Sequence, residues 1–179
     1  MVKEIVLIRH SSLLIPRGVC YGVSDIGVSE NFGFEIQNLK DRLGDFKPDL
    51  VVSSPLKRCV KLALSTFNVD PLIFKDLKEL DYGDWERKRW KDINIPGSNL
   101  WMYQNINNQP PNGESFRMLQ NRVVETLEAL LTLSEEKLAV VCHGGVIRSV
   151  LSYFLRTPLE YTRKYHIHYT GLSLIHISE

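Results

Sequence analysis

A chain of 179 residues, 44% hydrophobic and 24% charged, has the composition of one soluble globular domain, residues 1–179, and not of a disordered or membrane-embedded protein. Its formal charge of +1 gives no overall pull toward nucleic acid or an anionic membrane, so neither is an expected partner and any anion site must be local. Residues 1–8 lack the basic and then apolar start of a secretory signal, and no apolar run reaches the roughly 18 residues of a membrane span, so the expected location is cytoplasmic.

Residues 3–8 form a β-branched apolar run that reads as a buried strand, and the run ends on Arg9, His10 and two serines. Phe32, Ile36, Leu39 and Leu43 then recur at helical spacing, with Ser29 placed to cap the start and Gly44 the end. Residues 49–53, "DLVVS", read as a second strand. In "SSPLKRCVKLA" the expected N-cap is Ser54 with Pro55 at the first helical position, which puts Arg58 within about the first turn. "LKELDYGDWE" gathers four carboxylates, Glu79, Asp81, Asp84 and Glu86. "NINNQPPNG", residues 105–113, reads as a surface loop. Phe116, Leu119, Val123, Leu127 and Leu130 mark another helix. Residues 138–142, "LAVVC", read as a third strand, and "HGGVIRSVLSYF" turns from it into a helix with Val146, Ile147, Val150, Leu151 and Phe154 on one face.

Strands alternating with helices at this spacing predict an α/β fold, a three-layer α/β/α sandwich around a central, mostly parallel sheet. In such sheets ligands bind beyond the carboxyl ends of the strands. Arg9 and His10, Arg58, and His143 all fall there. Two arginines and two histidines at helix N-termini, with the backbone N–H groups after Gly144, suit a phosphoryl dianion, because a guanidinium fork can hold two of its oxygens. The same cations disfavour protonation of His10, which leaves a neutral imidazole able to attack phosphorus. A leaving alcohol needs a proton, for which the carboxylates of residues 79–86 are candidates.

"LIRH", "SSPLKRCVKLA", "ELDYGDWE", "GES" and "VCHGGVIR", in this order and over roughly residues 3–150, resemble the histidine phosphatase superfamily, the phosphoglycerate-mutase-like clan. "RGVCYGVSDIGVSE" and the short chain are most similar to its α-ribazole phosphatase branch, in cobalamin biosynthesis. The resemblance implies a phosphoric monoester hydrolase acting on a small-molecule phosphomonoester without metal or other cofactor. His10 would be transiently phosphorylated, His143 would complete the catalytic set with Arg9 and Arg58 on the phosphoryl group, and Glu79 would be the proton donor. Ser11, Tyr21 and Gly144 would contribute to substrate binding. The short span from Arg58 to His143 favours hydrolysis over mutase activity, with residues 77–112 expected as a lid in which Trp85, Trp90 and Trp101 pack. Two positions depart from the family pattern: Ser11 follows His10 where glycine is usual, and Arg87 stands where "WEG" is usual. Arg87, with Lys88 and Arg89, is placed to meet a second anionic part of a substrate.

Two other readings use fewer of these residues. Cys142 and Arg148 have the spacing of cysteine-dependent phosphatases, in which a thiolate attacks; that reading leaves Arg9, His10, Arg58 and Glu79 idle. A non-catalytic phospho-ligand sensor would need the cations but neither nucleophile nor proton donor. The three cysteines form neither a disulfide framework nor a metal knuckle. His166, His168 and His176 lack a supporting ligand pattern and read as a half-buried strand face in preference to a metal site.

Overall fold

The computed structural model describes residues 2–95 and 101–177. Its centre is a five-stranded sheet built from β1 (Glu4–Arg9), β2 (Leu50–Ser53), β3 (Leu72–Ile73), β4 (Lys137–Cys142) and β5 (Leu172–His176), in the order β3-β2-β4-β1-β5. The first four run parallel and β5 lies antiparallel on the β1 edge. Along β4 the side chains alternate between two apolar layers. Leu138, Val140 and Cys142 face α4 (Phe116–Leu131) and α5 (Gly144–Leu155), through Leu119, Val123, Ile147 and Val150. Ala139 and Val141 face α1 (Phe32–Leu43) and α2 (Lys57–Phe67), through Leu39, Cys59 and Leu62. Both faces are covered, which is why these strands read as continuous apolar runs and why the predicted three-layer sandwich is the observed one.

Register decides what the sheet presents. Arg9 lies opposite Cys142 and Ser53 opposite Val141. Three strands therefore end at one level, and the ladder continues for one residue beyond them: the His10 N–H donates to the Cys142 carbonyl at 3.0 Å and the Ser54 N–H to the Val141 carbonyl at 3.0 Å. The predicted strands agree with β1, β2 and β4 to within a residue at each end.

Two predicted caps are corrected. Ser54 and Pro55 do not open α2, which begins at Lys57 after Leu56. The Ser54 N–H is still tied to the sheet, so the chain cannot turn into a helix there. Its hydroxyl instead accepts from the Leu56 N–H at 3.3 Å. Ser29 does not cap α1 either. The residue before Phe32 is Asn31, with no side-chain cap bond, and Ser29 Oγ accepts the Asn31 N–H at 3.2 Å in a turn two residues upstream. Gly44 ends α1 as predicted, with φ of 55°.

Residues 74–95 carry no strand and only short 3-10 turns, and α3 (Trp101–Gln104) follows. Trp85 is buried and packs on Trp90 and Trp101 with ring centroids 6.4 and 5.6 Å apart. Residues 96–100 of the predicted lid lie outside the described residues. Among the described residues no helix is long and apolar enough to cross a membrane.

Candidate active site

His10 is the first residue past β1 and is 1% exposed. Its Nδ1 lies 2.8 Å from the Ser11 carbonyl oxygen. A carbonyl only accepts, so Nδ1 carries the proton and Nε2 keeps its lone pair. Burial, then the Arg58 and Arg9 charges, hold this imidazole well below the usual histidine range, against a smaller opposing pull from the Ser11 carbonyl. The ring is neutral at pH 7.

His143, the residue after β4, is fully buried with its ring centroid 5.2 Å from that of His10. Arg58 Nη2 lies 3.3 Å from His143 Nδ1, and His143 Nε2 lies 2.7 Å from Ser54 Oγ. A guanidinium only donates, so His143 Nδ1 is the acceptor and Nε2–H donates to Ser54. Burial, followed by the neighbouring His10, Arg58 and Arg9 charges, lowers its pKa in the same way.

Arg58 reaches this centre from the first turn of α2 and is 1% exposed. Its Nη1 and Nη2 donate to the carbonyls of Ser24 and Gly22 at 2.7 and 2.6 Å. Arg9, at the end of β1, donates from Nη1 to the Ile167 carbonyl at 2.6 Å and stacks 4.1 Å above the Tyr169 ring. Arg9 Nε, Arg58 Nε and Ser11 Oγ are buried with no hydrogen-bond partner among the described residues. Orphaned buried donors are costly, roughly 1–3 kcal/mol each, and a bound anion would satisfy them. Tyr21 donates to or accepts from the Tyr169 hydroxyl at 2.8 Å, which puts both phenols against the Arg9 side of the site.

Glu79 approaches from the segment after β3. Its Oε2 accepts from the Gly145 N–H at 3.1 Å and its Oε1 from the Leu80 N–H at 3.0 Å. The carboxyl thus sits at the N-terminus of α5, two residues from His143. It fits only because position 145 is glycine: a Cβ there would lie 2.3 Å from Oε1. At Gly144 a Cβ would meet Arg148 Nη1 at 3.3 Å and Arg9 Nε at 3.7 Å, so two guanidinium groups flank that residue. Glu79, Gly145 and Arg148 also line a cavity of about 60 Å³.

His10, Arg9, Arg58, His143 and Glu79, with Ser11, Tyr21 and Gly144, therefore lie together, whereas the other candidate acids and Arg87 and Arg89 do not join them. Glu86, one of the four candidate acids, plays a different part, since its carboxylate accepts the N–H groups of Gly22, Val23, Ser24 and Tyr82 at 3.1–3.2 Å. It thereby holds the loop whose carbonyls orient Arg58. Asp81 accepts the Gly83 N–H at 2.8 Å and Asp84 faces Asn112. Cys142 does not reach the site; its side chain is buried with Leu138 and Val140, and burial raises its thiol well above the usual range. Cys142 and Arg148 are joined by the first turn of α5, not by a phosphate-cradling loop. His166 and His168 are exposed and face each other at 4.8 Å, while His176 lies on β5 3.6 Å from Glu4. Among the described residues no group of three or more His, Cys, Asp or Glu is arranged to hold a metal ion.

Sequence reasoning missed Ser54 as the partner of His143, Tyr169 under Arg9, and the carbonyls of Gly22, Ser24 and Ile167. Only Ser54 carried a signal, its place at a strand end beside the other candidates. Arg87 adopts φ of 65° and lines a groove of about 440 Å³ with Leu14 and Asp25; Arg89 lines a neighbouring one of about 450 Å³. The left-handed backbone at 87 accounts for the glycine usual there.

The sequence model of the histidine phosphatase superfamily (branch 1) matches residues 5–179. A metal-independent phosphoserine phosphatase of Arabidopsis thaliana is 32% identical over 83% of this chain and 67% of its own. The adenosylcobalamin/alpha-ribazole phosphatase of Escherichia coli K12 is 28% identical over 70% of this chain and 66% of its own. A solved structure of mycobacterial glucosyl-3-phosphoglycerate phosphatase superposes with a TM-score of 0.86 at 21% identity, covering 96% of this chain and 89% of that one, and shows the same fold.

Proposed function

The chain belongs to the histidine phosphatase superfamily (branch 1) and is a phosphoric monoester hydrolase of that family, and we propose that it hydrolyses a small phosphomonoester in two steps through phosphorylated His10, without metal. The observation that carries this reading is the 2.8 Å contact between His10 Nδ1 and the Ser11 carbonyl, in a buried ring beside two guanidinium groups. It fixes the tautomer whose free nitrogen can attack.

In the first step the Nε2 lone pair forms a bond to phosphorus, the ester P–O bond breaks, and the leaving oxygen takes a proton from Glu79. Arg9, Arg58 and His143 hold the phosphoryl oxygens, with Ser11, Tyr21 and the backbone at Gly144 around them, and charge spread over those oxygens is what they stabilise. In the second step Glu79 takes a proton from water, the water oxygen bonds to phosphorus, and the P–Nε2 bond breaks to release inorganic phosphate. Residues 77–112 would act as the lid and set specificity. α-Ribazole 5'-phosphate in cobalamin biosynthesis is the first substrate to try; phosphoserine is the second, from the plant relative. Arg87, Lys88 and Arg89 would meet a further anionic group on the substrate. Three unpaired cysteines support a reducing compartment, the cytoplasm.

The test is turnover of an aryl phosphate in EDTA, with acid-labile labelling of the protein followed in parallel. Wild type is expected to turn over and to label, and His10→Ala to do neither while keeping its fold. Phosphate binding without turnover by wild type would point to a sensor; unchanged turnover by His10→Ala would remove the nucleophile assigned here.

A further inference from the structure

Glu79 sits in a stretch that belongs to no strand or long helix, yet proton transfer needs its carboxyl fixed to a fraction of an ångström. The Gly145 and Leu80 N–H groups hold its oxygens, and one ion pair holds the backbone that carries it. Arg122 lies on α4, and Glu114 is the acid of the "GES" sequence just before that helix. They meet fork to fork, Nε to Oε1 and Nη2 to Oε2, both at 2.8 Å, with the side chains 18% and 13% exposed. Every remaining guanidinium N–H goes to a main-chain carbonyl of the Glu79 segment: Nη1 to Asp76 and to Lys78, the latter at 2.8 Å, and Nη2 to Glu79 itself at 3.1 Å. Glu114 grips the far side of the same segment. Its N–H donates to the Asp81 carbonyl at 2.8 Å and its Oε2 accepts the Asp81 N–H at 3.3 Å.

All five guanidinium N–H groups are therefore engaged, and three carbonyls between 76 and 79 plus both backbone groups of Asp81 are tied to one pair of side chains. The helix that carries Arg122 is packed on the sheet through Leu119, Val123 and Leu127. Its rigidity adds to what a single 3-10 turn and the buried Leu77 and Leu80 give that segment.

We propose that the Arg122–Glu114 pair is the positioning device for the proton donor, acting through the Glu79 backbone without touching substrate. The inference rests on the reading of Glu79 as that donor. A pair that only stabilised the fold would affect all substrates alike. A pair that aims a general acid affects substrates in proportion to their need for a proton, greatest for alkyl phosphates and least for 2,4-dinitrophenyl phosphate.

The experiment compares kcat/KM for an alkyl phosphate and for 2,4-dinitrophenyl phosphate in wild type, Glu79→Gln, Arg122→Met and the double variant, with thermal denaturation of each. Because Arg122→Met alone leaves a half-buried carboxylate unpaired, Arg122→Met with Glu114→Leu is measured beside it, and Glu114→Gln gives a third, milder perturbation. The expected result is a loss of about 10–100-fold on the alkyl ester and little on the dinitrophenyl ester, the same pattern as Glu79→Gln in kind. Adding Arg122→Met to Glu79→Gln should cause no further alkyl-specific loss. Equal losses on both esters from every clamp variant, with Glu79→Gln still selective, would overturn the proposal alone. If Glu79→Gln itself shows no dependence on the leaving group, the proton-donor assignment fails and the proposal with it.

Discussion

One methyl group tests where the proton donor sits. In Gly145→Ala the new Cβ would lie 2.3 Å from Glu79 Oε1, 3.3 Å from Glu79 Cδ and 3.0 Å from Leu119 Cδ2. Carbon–oxygen contacts settle near about 3.3 Å, so the carboxyl must withdraw by roughly 1 Å, being the free end of a side chain while the α5 backbone is not. Withdrawal also breaks the 3.1 Å bond from the Gly145 N–H. A displacement of about 1 Å in a catalytic group is worth about 10²-fold, within the 10²–10⁴-fold that general acids contribute. Alkyl phosphate hydrolysis is therefore expected to fall about 100-fold. Stability should hardly move, since alanine is favoured over glycine within a helix by about 1 kcal/mol, which offsets the lost hydrogen bond of similar size. The assay is steady-state hydrolysis of an alkyl phosphate beside a thermal melt, with Gly33→Ala in α1 as control, whose Cβ would meet nothing within 4 Å. A folded Gly145→Ala enzyme within about threefold of wild type would refute the placement of Glu79 at this site.

Stability should weaken in acid. His10 and His143 have folded-state pKa values below the unfolded 6.5, so the unfolded chain binds more protons once pH falls under that value. Each histidine then removes about 1.4 kcal/mol per pH unit until its own folded pKa is reached, which denaturant melts between pH 7 and pH 5 would read; a flat profile would contradict the buried neutral pair. Cys142→Ala is expected to keep turnover, and iodoacetamide to label the native thiols slowly, because Cys20, Cys59 and Cys142 are all buried and the Cys59 thiol is pushed up to about 12. Loss of activity in a folded Cys142→Ala would reopen the cysteine-nucleophile reading. Glu86→Gln should raise KM more than it lowers kcat, since an amide has one acceptor where the carboxylate serves four N–H groups, and the Gly22 and Ser24 carbonyls that hold Arg58 would loosen. A kcat effect without a KM effect would break the link from Glu86 to Arg58.

The sheet, and the gathering of Arg9, His10, Arg58, Glu79 and His143 at the candidate site, were legible because their signals are local. β1, β2 and β4 are buried on both faces and so carry unbroken apolar runs, and the polar residues that follow or end them, Arg9, His10 and His143, have no place in such runs. β3 is two exposed residues long and β5 sits at the sheet edge, so neither offers a pattern that separates it from a loop. The caps were misplaced because Ser54 remains in the sheet ladder one residue longer than a helix start allows, and the hydroxyl that resembled a cap serves His143 instead. The Arg122–Glu114 clamp joins α4 to carbonyls 43–46 residues away; carbonyls are common to every residue, so no side-chain pattern marks them. Glu86 was grouped with the candidate acids for the same reason, because its role depends on four N–H groups that the sequence does not distinguish.

Charge balance at the site leads to a last expectation. In the free protein Arg58 and Arg9 help to keep His143 neutral, and His143 Nδ1 accepts from Arg58 at 3.3 Å. A tetrahedral dianion between the guanidinium groups cancels the repulsion that those cations exert on a second positive charge, and it offers Nδ1 an acceptor in place of a donor. Both changes favour imidazolium, so the pKa of His143 must rise on binding even though burial still opposes it. Binding is then linked to proton uptake, and affinity increases as pH falls toward the bound-state value. Sulfate is the proper probe, because it stays a dianion across the neutral range and contributes no titration of its own. Calorimetry of sulfate binding in two buffers of different ionisation enthalpy, near pH 6, should give an uptake of up to about one proton, lost in His143→Asn. Proton release, or none at all in wild type, would mean that the dianion does not lie between Arg9 and Arg58 beside His143.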